Sequence, residues 1–590
     1  MQRPKICACN RSPRGMFSKL LVANRGEIAL RVMRTAKEMG IATVAVYSEA
    51  DRDSLHVRFA DEAYLLGPAA SYLNTERVLE AAKRSGAQAV HPGYGFLAEN
   101  AAFARAIIEA GLTWVGPHPD AIEGMGDKVS ARQTMAAAGV PIVPGGTEAI
   151  KDIAGVQTAA KRYGLPLALK AAGGGGGKGL KIAHTADELE TAFTTAKREA
   201  SAYFKNDTIY AERYLENPKH IELQILADKH GTVLHVGERD CSLQRRHQKL
   251  WEETPPAIAE KTRAAMRTAG IKAARAINYD SVGTIECLVK GDDFYFLEMN
   301  TRIQVEHTVS EMVSGLDLIR EQLLVAAGER LGCDQEAIVF RGHSIEARIN
   351  AEDPAADFRP APGTITRYRE PAGLGVRVDS AAFEGYTISA DYDSLIAKLI
   401  VWAPDRDQAC ARLRRAIDEF QIEGVPTTLG ILRALIDEPA VVRADYGTAT
   451  LERFARSFGE SSDAPRALTT THSTSSEPIR VEINDRLYQV RVLDSPMAKR
   501  FASPVASART IASSDGNDVI SPMHGIVVEL GVKERDKVLA GQMVAVIEAM
   551  KMMNEVRAHK DGVVSKVHAS LGSSVEAQAP LVTLTQRESE

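Results

Sequence analysis

The feature that most restricts how this chain can fold is an internal repeat in its last 70 or so residues. Residues 525–549 laid over 562–586, a shift of 37, match where a fold needs them to: Gly525 on Gly562, Val527 on Val564, Leu530 on Val567, Val538 on Val575, Ala540 on Ala577, Val544 on Leu581 and Ile547 on Leu584. Each copy reads as short alternating strands with glycine turns, and neither is long enough to bury a core alone. The two copies must close on each other as a small barrel-like sandwich. At the crossover between them stands Glu548-Ala549-Met550-Lys551-Met552, in which two methionines would expose apolar surface beside a charge. A strand end whose lysine merely reaches water is the plain explanation, but it leaves the position at the midpoint of the repeat unexplained.

That position resembles the biotinyl/lipoyl carrier domain, whose modified lysine sits on a hairpin tip. Lipoyl carriers show Asp-Lys-Ala there, whereas Ala549-Met550-Lys551-Met552 is similar to the biotin form. The resemblance implies biotin in amide linkage to Lys551, and with it a biotin protein ligase as partner.

The length of 590 residues predicts roughly three to five domains. A net charge of -5 offers no basic field for nucleic acid, and no apolar run approaches the ~18 residues that a membrane span needs. The six cysteines, Cys7, Cys9, Cys241, Cys287, Cys333 and Cys410, signal neither a disulfide framework nor a zinc site, so the reducing cytoplasm is the expected compartment. Residues 1–15 hold four basic residues and no acid. With no apolar stretch behind them they read as a disordered extension, an organelle presequence or residues ahead of a start at Met16, not as a secretory signal.

The ordered fold is expected to begin at Ser18-Lys19-Leu20-Leu21-Val22-Ala23-Asn24, a buried strand, followed by a helix from Glu27 to Met39 and a strand from Ile41 to Tyr47. This is a strand-helix-strand unit of a parallel sheet, and its turn lacks a dinucleotide fingerprint. The loop His91-Pro92-Gly93-Tyr94-Gly95-Phe96 follows another strand, where ligands often sit, and by itself decides nothing.

More decisive is the strand Leu167 to Ala171 running into five glycines, 173–177. Their backbone N-H groups can all approach a polyphosphate, and Lys170 adds a positive charge. A Walker A loop is excluded, because Gly179 follows Lys178 where Ser or Thr is required. Further on, Val282 to Val289 and Phe294 to Asn300 read as two strands of a hairpin. If Lys290 pairs with Phe294, Glu286 falls opposite Glu298 on one face, with Asn300 and Arg302 following at the two-residue period. Two opposed carboxylates need a counter-ion, and a hard cation, Mg2+ or Mn2+, bridging to ATP phosphates supplies one.

A glycine loop, a strand lysine and a two-strand acidic platform resemble the ATP-grasp fold. The stretches from Arg239 to Lys249 and from Glu298 to His307 resemble biotin carboxylase in particular, over about Lys19 to Ala455. That resemblance implies ATP contacts at Lys128, Lys170, Gly176, Gly177, Glu212, Arg213, Tyr214, Leu215, His220 and His247, and metal contacts at Glu286, Glu298 and Asn300. It further implies bicarbonate held by Lys249, Arg302, Gln304 and Val305, Glu306 as general base, and Arg348 facing the biotin ureido oxygen. Lys178 stands where the family often has arginine, so a basic residue is kept.

The expected architecture is multidomain α/β and α+β: an ATP-grasp biotin carboxylase followed by a small all-β biotinyl (lipoyl-like) domain. Its expected parts are an N-terminal α/β domain at 16–130, the ATP-grasp domain at 131–340 with a mobile lid at about 142–216, and a C-terminal domain at 341–455. A linker at 456–520 would carry a short hairpin at 479–493, ahead of the carrier at 521–587. The last 26 residues of that linker, 495–520, reach roughly 25–31 Å as a coil and about 80 Å extended, enough for Lys551 to swing. No carboxyltransferase fits into the chain. The resemblance therefore implies a carboxyltransferase beta subunit as partner, homo-oligomers within a larger hetero-oligomer, and an acetyl-/propionyl-CoA acceptor. A methylcrotonyl-CoA or pyruvate carboxylase subunit is the alternative, and a non-catalytic carrier joined to an inactive ATP-binding domain is one of another class.

Overall fold

A computed structural model of the chain describes residues 15–146, 148–172, 179–204, 206–246, 248–460, 479–483, 486–490, 517–522, 525–549, 552–575 and 578–585. Gly176, Gly177, Lys178, His247 and Lys551 lie outside the described residues. The chain divides into two compact units, the larger ending at Ser461.

In the larger unit, β1 (Lys19–Val22), β2 (Ala42–Ser48), β3 (Glu62–Gly67), β4 (Ala89–His91) and β5 (Thr113–Trp114) form a parallel sheet in the order β3-β2-β1-β4-β5. The helix Gly26–Glu38 buries Ile28, Ala29, Val32, Met33 and Ala36 against it at helical spacing. The glycine loop after β4 is clasped from within, since Asn24 Nδ2 donates to the carbonyls of Pro92 and Tyr94, both at 2.7 Å. A Cβ at Gly93 would come within 2.8 Å of that amide, and φ there is +65°, so packing explains this glycine.

A second layer has its own core. The antiparallel sheet of β6 (Leu167–Ala171), β7 (Leu180–Ala183) and β8 (Ile209–Arg213) is covered by the helices Ile153–Tyr163 and Leu189–Phe204, which bury Val156, Phe193 and Ala196 with Leu167 and Leu169.

The third layer is an eight-stranded antiparallel sheet. Its order is β13 (Asp293–Asn300), β12 (Ser281–Lys290), β9 (Lys219–Ala227), β10 (Val233–Arg245), β11 (Gln248–Thr254), β14 (His343–Asn350), then the strands Leu395–Ala403 and Val376–Ser380. The boundary expected near 340 thus runs through one continuous sheet, because β11 and β14 are paired neighbours.

Two expectations are corrected. The helix Thr450–Glu460 runs five residues past the expected start of the linker, with Leu451 and Ala455 buried and the Phe454 and Phe458 rings 6.1 Å apart. An apolar face at i, i+3, i+4 and i+7 carries the helix through a stretch whose composition reads as loose. The register assumed for the β12–β13 hairpin is also wrong at its turn, where Lys290 pairs with Asp293 and Val289 with Phe294.

In the smaller unit, Ile479–Ile483 pairs with Arg486–Val490. The repeat folds as two four-stranded sheets that exchange under the shift of 37. Val527 pairs with Ile547 and, 37 residues on, Val564 pairs with Leu584; Gly525 pairs with Val575, as Gly562 does with Val538. Even the bulges repeat, at Val528 and at Ser565. The strand Asp518–Ile520 joins this sandwich through Thr583 and Val582, so the folded unit begins before the expected 521.

Candidate active site

The face of the large sheet at β9 to β14 is lined by charged residues that alternate with core residues, as the two-residue period of a strand allows. Glu286 on β12 does stand opposite Glu298 on β13, for a reason different from the assumed one. From Lys290 to Cys287 the ladder runs one residue out of the assumed register, and a bulge at Leu297 restores it. Beyond the bulge, Asn300 Nδ2 donates to Glu286 Oε1 at 2.8 Å and Arg302 Nη2 donates to Asn300 Oδ1 at 2.7 Å. Glu298 Oε2 meets Lys128 Nζ at 2.9 Å. Lys128 is the first residue of the helix Lys128–Ala137, whose preceding Asp127 caps it by accepting from Ser130 N at 2.7 Å.

The cations converge on these carboxylates. Lys249 Nζ on β11 lies 2.7 Å from Glu306 Oε1 and 3.4 Å from Glu286 Oε1, and also bonds Glu222 on β9. Arg348 on β14 reaches Glu306 Oε2 with Nη2 at 2.8 Å and Glu252 Oε1 with Nε at 2.6 Å. Glu306 is the N-cap residue of the helix His307–Ser314, so its carboxylate is gripped from two sides and stands at the positive end of a helix. Burial alone would push the Glu306 carboxyl up; Lys249, Arg348 and Arg239 outweigh it and hold the pKa well below the usual carboxylate range. Glu286 behaves likewise, with burial overcome by Lys249 and by His220, whose Nε2 is 3.0 Å from Glu286 Oε2. Lys249 is the reciprocal case: burial opposes its charge, and Glu222, Glu286 and Glu306 hold its pKa well above that of a free lysine.

Gln304 spans this network, donating to Glu286 Oε1 at 2.8 Å and accepting from Arg239 Nη2 at 3.0 Å. Val305 offers its carbonyl to the fully buried Lys398 at 3.0 Å. On the smaller sheet, Lys170 of β6 and Glu212 of β8 are ion-paired, and Arg132 Nη1 binds the other Glu212 oxygen at 2.7 Å. Arg213 ends β8, and Tyr214 and Leu215 follow it.

Five charged residues that carry this arrangement, Glu222 among them, have no role in the sequence reading. Arg239, buried completely on β10, pairs directly with Glu222 across the ladder and donates to it, to Thr284 and to Ser310. Glu252 holds Arg348. Glu99 fixes Arg302, with Oε2 3.0 Å from Nε, and Arg132 holds Glu212. A signal existed for two of them: Glu222 and Arg239 interrupt strands that are otherwise almost wholly buried.

Carboxylate and amide oxygens at Glu286, Glu298 and Asn300 are the donors a hard divalent cation takes, and ligand atoms of His220, Glu222 and Glu286 lie within 4.8 Å of one another. The donor set fits Mg2+.

Such a sheet with its acidic face, a separate three-stranded layer that carries Lys170, and a two-fold sandwich in the same chain define an ATP-grasp ligase joined to a carrier. Four family models match: biotin carboxylase N-terminal domain over 16–122, carbamoyl-phosphate synthase L chain ATP-binding domain over 127–333, biotin carboxylase C-terminal domain over 346–453, and biotin-requiring enzyme over 517–584. The chain is 41% identical over 584 residues to the biotin-dependent acyl-coenzyme A carboxylase alpha3 subunit of Mycobacterium leprae, covering 95% of this chain and 97% of that one. It is 50% identical over 445 residues to biotin carboxylase 1 of Bacillus subtilis, covering 74% of this chain and 99% of that one. Among solved structures it resembles the biotin carboxylase domain dimer of Hydrogenobacter thermophilus 2-oxoglutarate carboxylase in complex with MgADP, ADP and bicarbonate, with 49% identity, TM-score 0.73, and 75% and 98% of the two chains covered. The chain belongs to the biotin-dependent carboxylases, as a biotin carboxylase fused to its carrier domain. It is a ligase that carboxylates biotin, with biotin, ATP and Mg2+ as its cofactors. Among the described residues no helix is long and apolar enough to cross a membrane.

Proposed function

We propose that Lys551 carries the biotin, placed there by a biotin protein ligase, and that a separate carboxyltransferase beta subunit passes the carboxyl group to an acyl-CoA of the acetyl-/propionyl-CoA class. The acceptor class rests on the 41% identity over nearly the whole chain to an acyl-coenzyme A carboxylase alpha subunit. Ala549, which ends one strand, pairs with Met552, which begins the next.

The observation that carries the reading of the site is Glu306 held between Lys249 and Arg348. Bicarbonate is unreactive until ATP phosphorylates it, and two anions must be brought together for that step. Glu286, Glu298 and Asn300 would hold Mg2+, which would supply charge neutralisation at the phosphates. Lys128, Lys170, His220 and the glycine loop with Gly176 and Gly177 bind the nucleotide, and Glu212 to Leu215 and His247 complete its surroundings. Lys249, Arg302, Gln304 and Val305 hold bicarbonate. As that anion takes up Lys249, the pull that keeps Glu306 ionised weakens, its basicity rises, and it accepts the bicarbonate proton. Arg348 then offers its charge to the oxygen of the ureido group as the adjacent nitrogen is deprotonated.

Radiolabelled bicarbonate tests this. With ATP and Mg2+ the biotinylated chain should become labelled, and addition of the carboxyltransferase should move the label to an acyl-CoA. Glu306→Gln should bind ATP and lose labelling by at least about a hundredfold, and Lys551→Ala should lose recognition by streptavidin. Full labelling of Glu306→Gln, or streptavidin recognition of Lys551→Ala, would overturn the assignment.

A further inference from the structure

Glu252 on β11 and Glu346 on β14 are directly paired across the ladder, with side chains on one face of the sheet. Both are fully buried. Two ionised carboxylates so placed would repel each other strongly, and the sheet would be expected to avoid the pairing. Each carboxyl has one oxygen in use: Glu252 Oε1 accepts from Arg348 Nε at 2.6 Å, and Glu346 accepts from the Thr308 hydroxyl. The remaining oxygens, Glu252 Oε2 and Glu346 Oε1, are buried without a hydrogen-bond partner. Two orphan acceptors on facing side chains are costly as acceptors, because each gives up its bonds to water and gains none in return. One proton turns the pair into a donor and an acceptor.

We propose that Glu252 and Glu346 hold a single proton between them, carried on Glu346, and that this acid pair positions Arg348 against Glu306. The partners decide which residue carries it. Glu252 faces the Arg348 guanidinium, which favours its ionised form, whereas the bond that Glu346 receives is from a neutral hydroxyl. The charged and titratable groups around the pair are Arg348, Lys249 on β11, Lys398 on the strand beyond β14, Glu306 at the head of its helix and the Cys241 thiol on β10. Burial pushes the Glu346 carboxyl well above its usual range, outweighing Lys398, and raises Glu252 to about 7. The pair therefore loses its proton on the alkaline side. A second negative charge behind Arg348 then competes with Glu306 and draws the guanidinium away from the site. Both residues act through Arg348 and are positioning residues. That catalytic role rests on the reading of Arg348 given above; the shared proton does not.

Infrared difference spectroscopy on the full chain tests the proton by itself. Near neutral pH, wild type minus Glu346→Gln should show the C=O band of a protonated carboxyl, moved by D2O, and wild type minus Glu252→Gln should show that band perturbed. No such band in either difference overturns the proposal, and either variant suffices should the other fail to fold. The pH profile tests the role. Biotin carboxylation by wild type should fall on its alkaline limb, while ATP cleavage without biotin should not follow that fall. In Glu346→Gln, which has no proton to lose, the limb should move to higher pH. Glu252→Gln should lower kcat for biotin carboxylation about tenfold, equal to ~1.4 kcal/mol, and leave biotin-independent ATP cleavage within about twofold. A band with unmoved profiles would leave the acid pair standing and refute its hold on Arg348. Loss of both activities in equal measure would point to folding alone and refute it too.

Discussion

Glu286 stands directly opposite Glu298 because Leu297 is bulged out of the ladder between them. Were Leu297 itself paired with Glu286, Glu298 would fall opposite Ile285 and every side chain from Glu298 onward would turn to the other face, since the period of a strand is two. Glu298, Asn300 and Arg302 owe their place in the site to one residue with no polar group of its own.

A residue inserted beside Leu297 should push Glu298, Asn300 and Arg302 one position out of register onto the other face, and should cost at least about a hundredfold in bicarbonate-dependent ATP cleavage, the scale of losing a charge-stabilising group. Leu297→Ala keeps the chain length and the register, and its rate should stay within a few-fold of wild type. Equal rates for the insertion and the parent would show that the register past Phe296 does not set the site.

Arg239 and Glu222 are both completely buried, with Nη2 2.9 Å from Oε2. Arg239→Met takes the guanidinium from the buried Glu222 carboxylate, leaving it Lys249, and should cost about 3 kcal/mol of unfolding free energy, read from urea denaturation. The double variant Arg239→Met/Glu222→Met should recover part of that loss, because no uncompensated charge remains. It should not recover ATP cleavage, because Lys249 has lost a partner that orients it.

The stability of the large unit should carry a specific acid limb from Glu253. Burial would raise its carboxyl, but His343 at 2.7 Å and Arg406 at 2.9 Å bring it down to about 2 from an ordinary 4.5. A carboxyl depressed by folding stabilises fully above its unfolded pKa, and the contribution fades as pH falls towards the folded one. Wild type should exceed Glu253→Gln by ~3 kcal/mol at neutral pH, with the gap narrowing between about pH 4.5 and 2. Denaturant melts across that window measure it. A gap that is constant down to about pH 3 would contradict the assignment.

The two halves of the carrier should respond alike. Ile547 and Leu584, mates 37 residues apart, are both fully buried. Ile547→Ala and Leu584→Ala should each destabilise the carrier by about 2–5 kcal/mol, seen as a lowered carrier transition in calorimetry. Carboxylation of free biotin by either variant should match the parent. A large cost at one position and none at the other would mean that the two-fold relation is one of chain path and not of packing.

Much of the fold was legible because it follows periodicities. The repeat around Lys551 and the strand-helix-strand opening at Lys19 rest on apolar spacing that survives without knowledge of partners. The helix through Ala455 and Phe458 is hidden from composition, which is rich in Ser and Ala nearby, and is legible only in its apolar spacing. At the site, Glu286, Glu298 and Asn300 were found by counting along a hairpin, and the count reached the right pair through a wrong turn. Glu252, Glu222, Glu99 and Arg132 could not be assigned roles by such counting, since each acts on a residue 27 to 203 positions away.

Local spacing and residue chemistry, present in the chain itself, determined which segments become strands, where the glycine loop lies, and that a lysine occupies the seam of a two-fold carrier. Tertiary structure alone decided which charges meet. Lys249, Glu306 and Arg348 come from three separate segments, and their pKa values depend on burial and on distances of about 3 Å. Coulomb interactions in a protein interior change steeply with such separations, and no linear pattern encodes them.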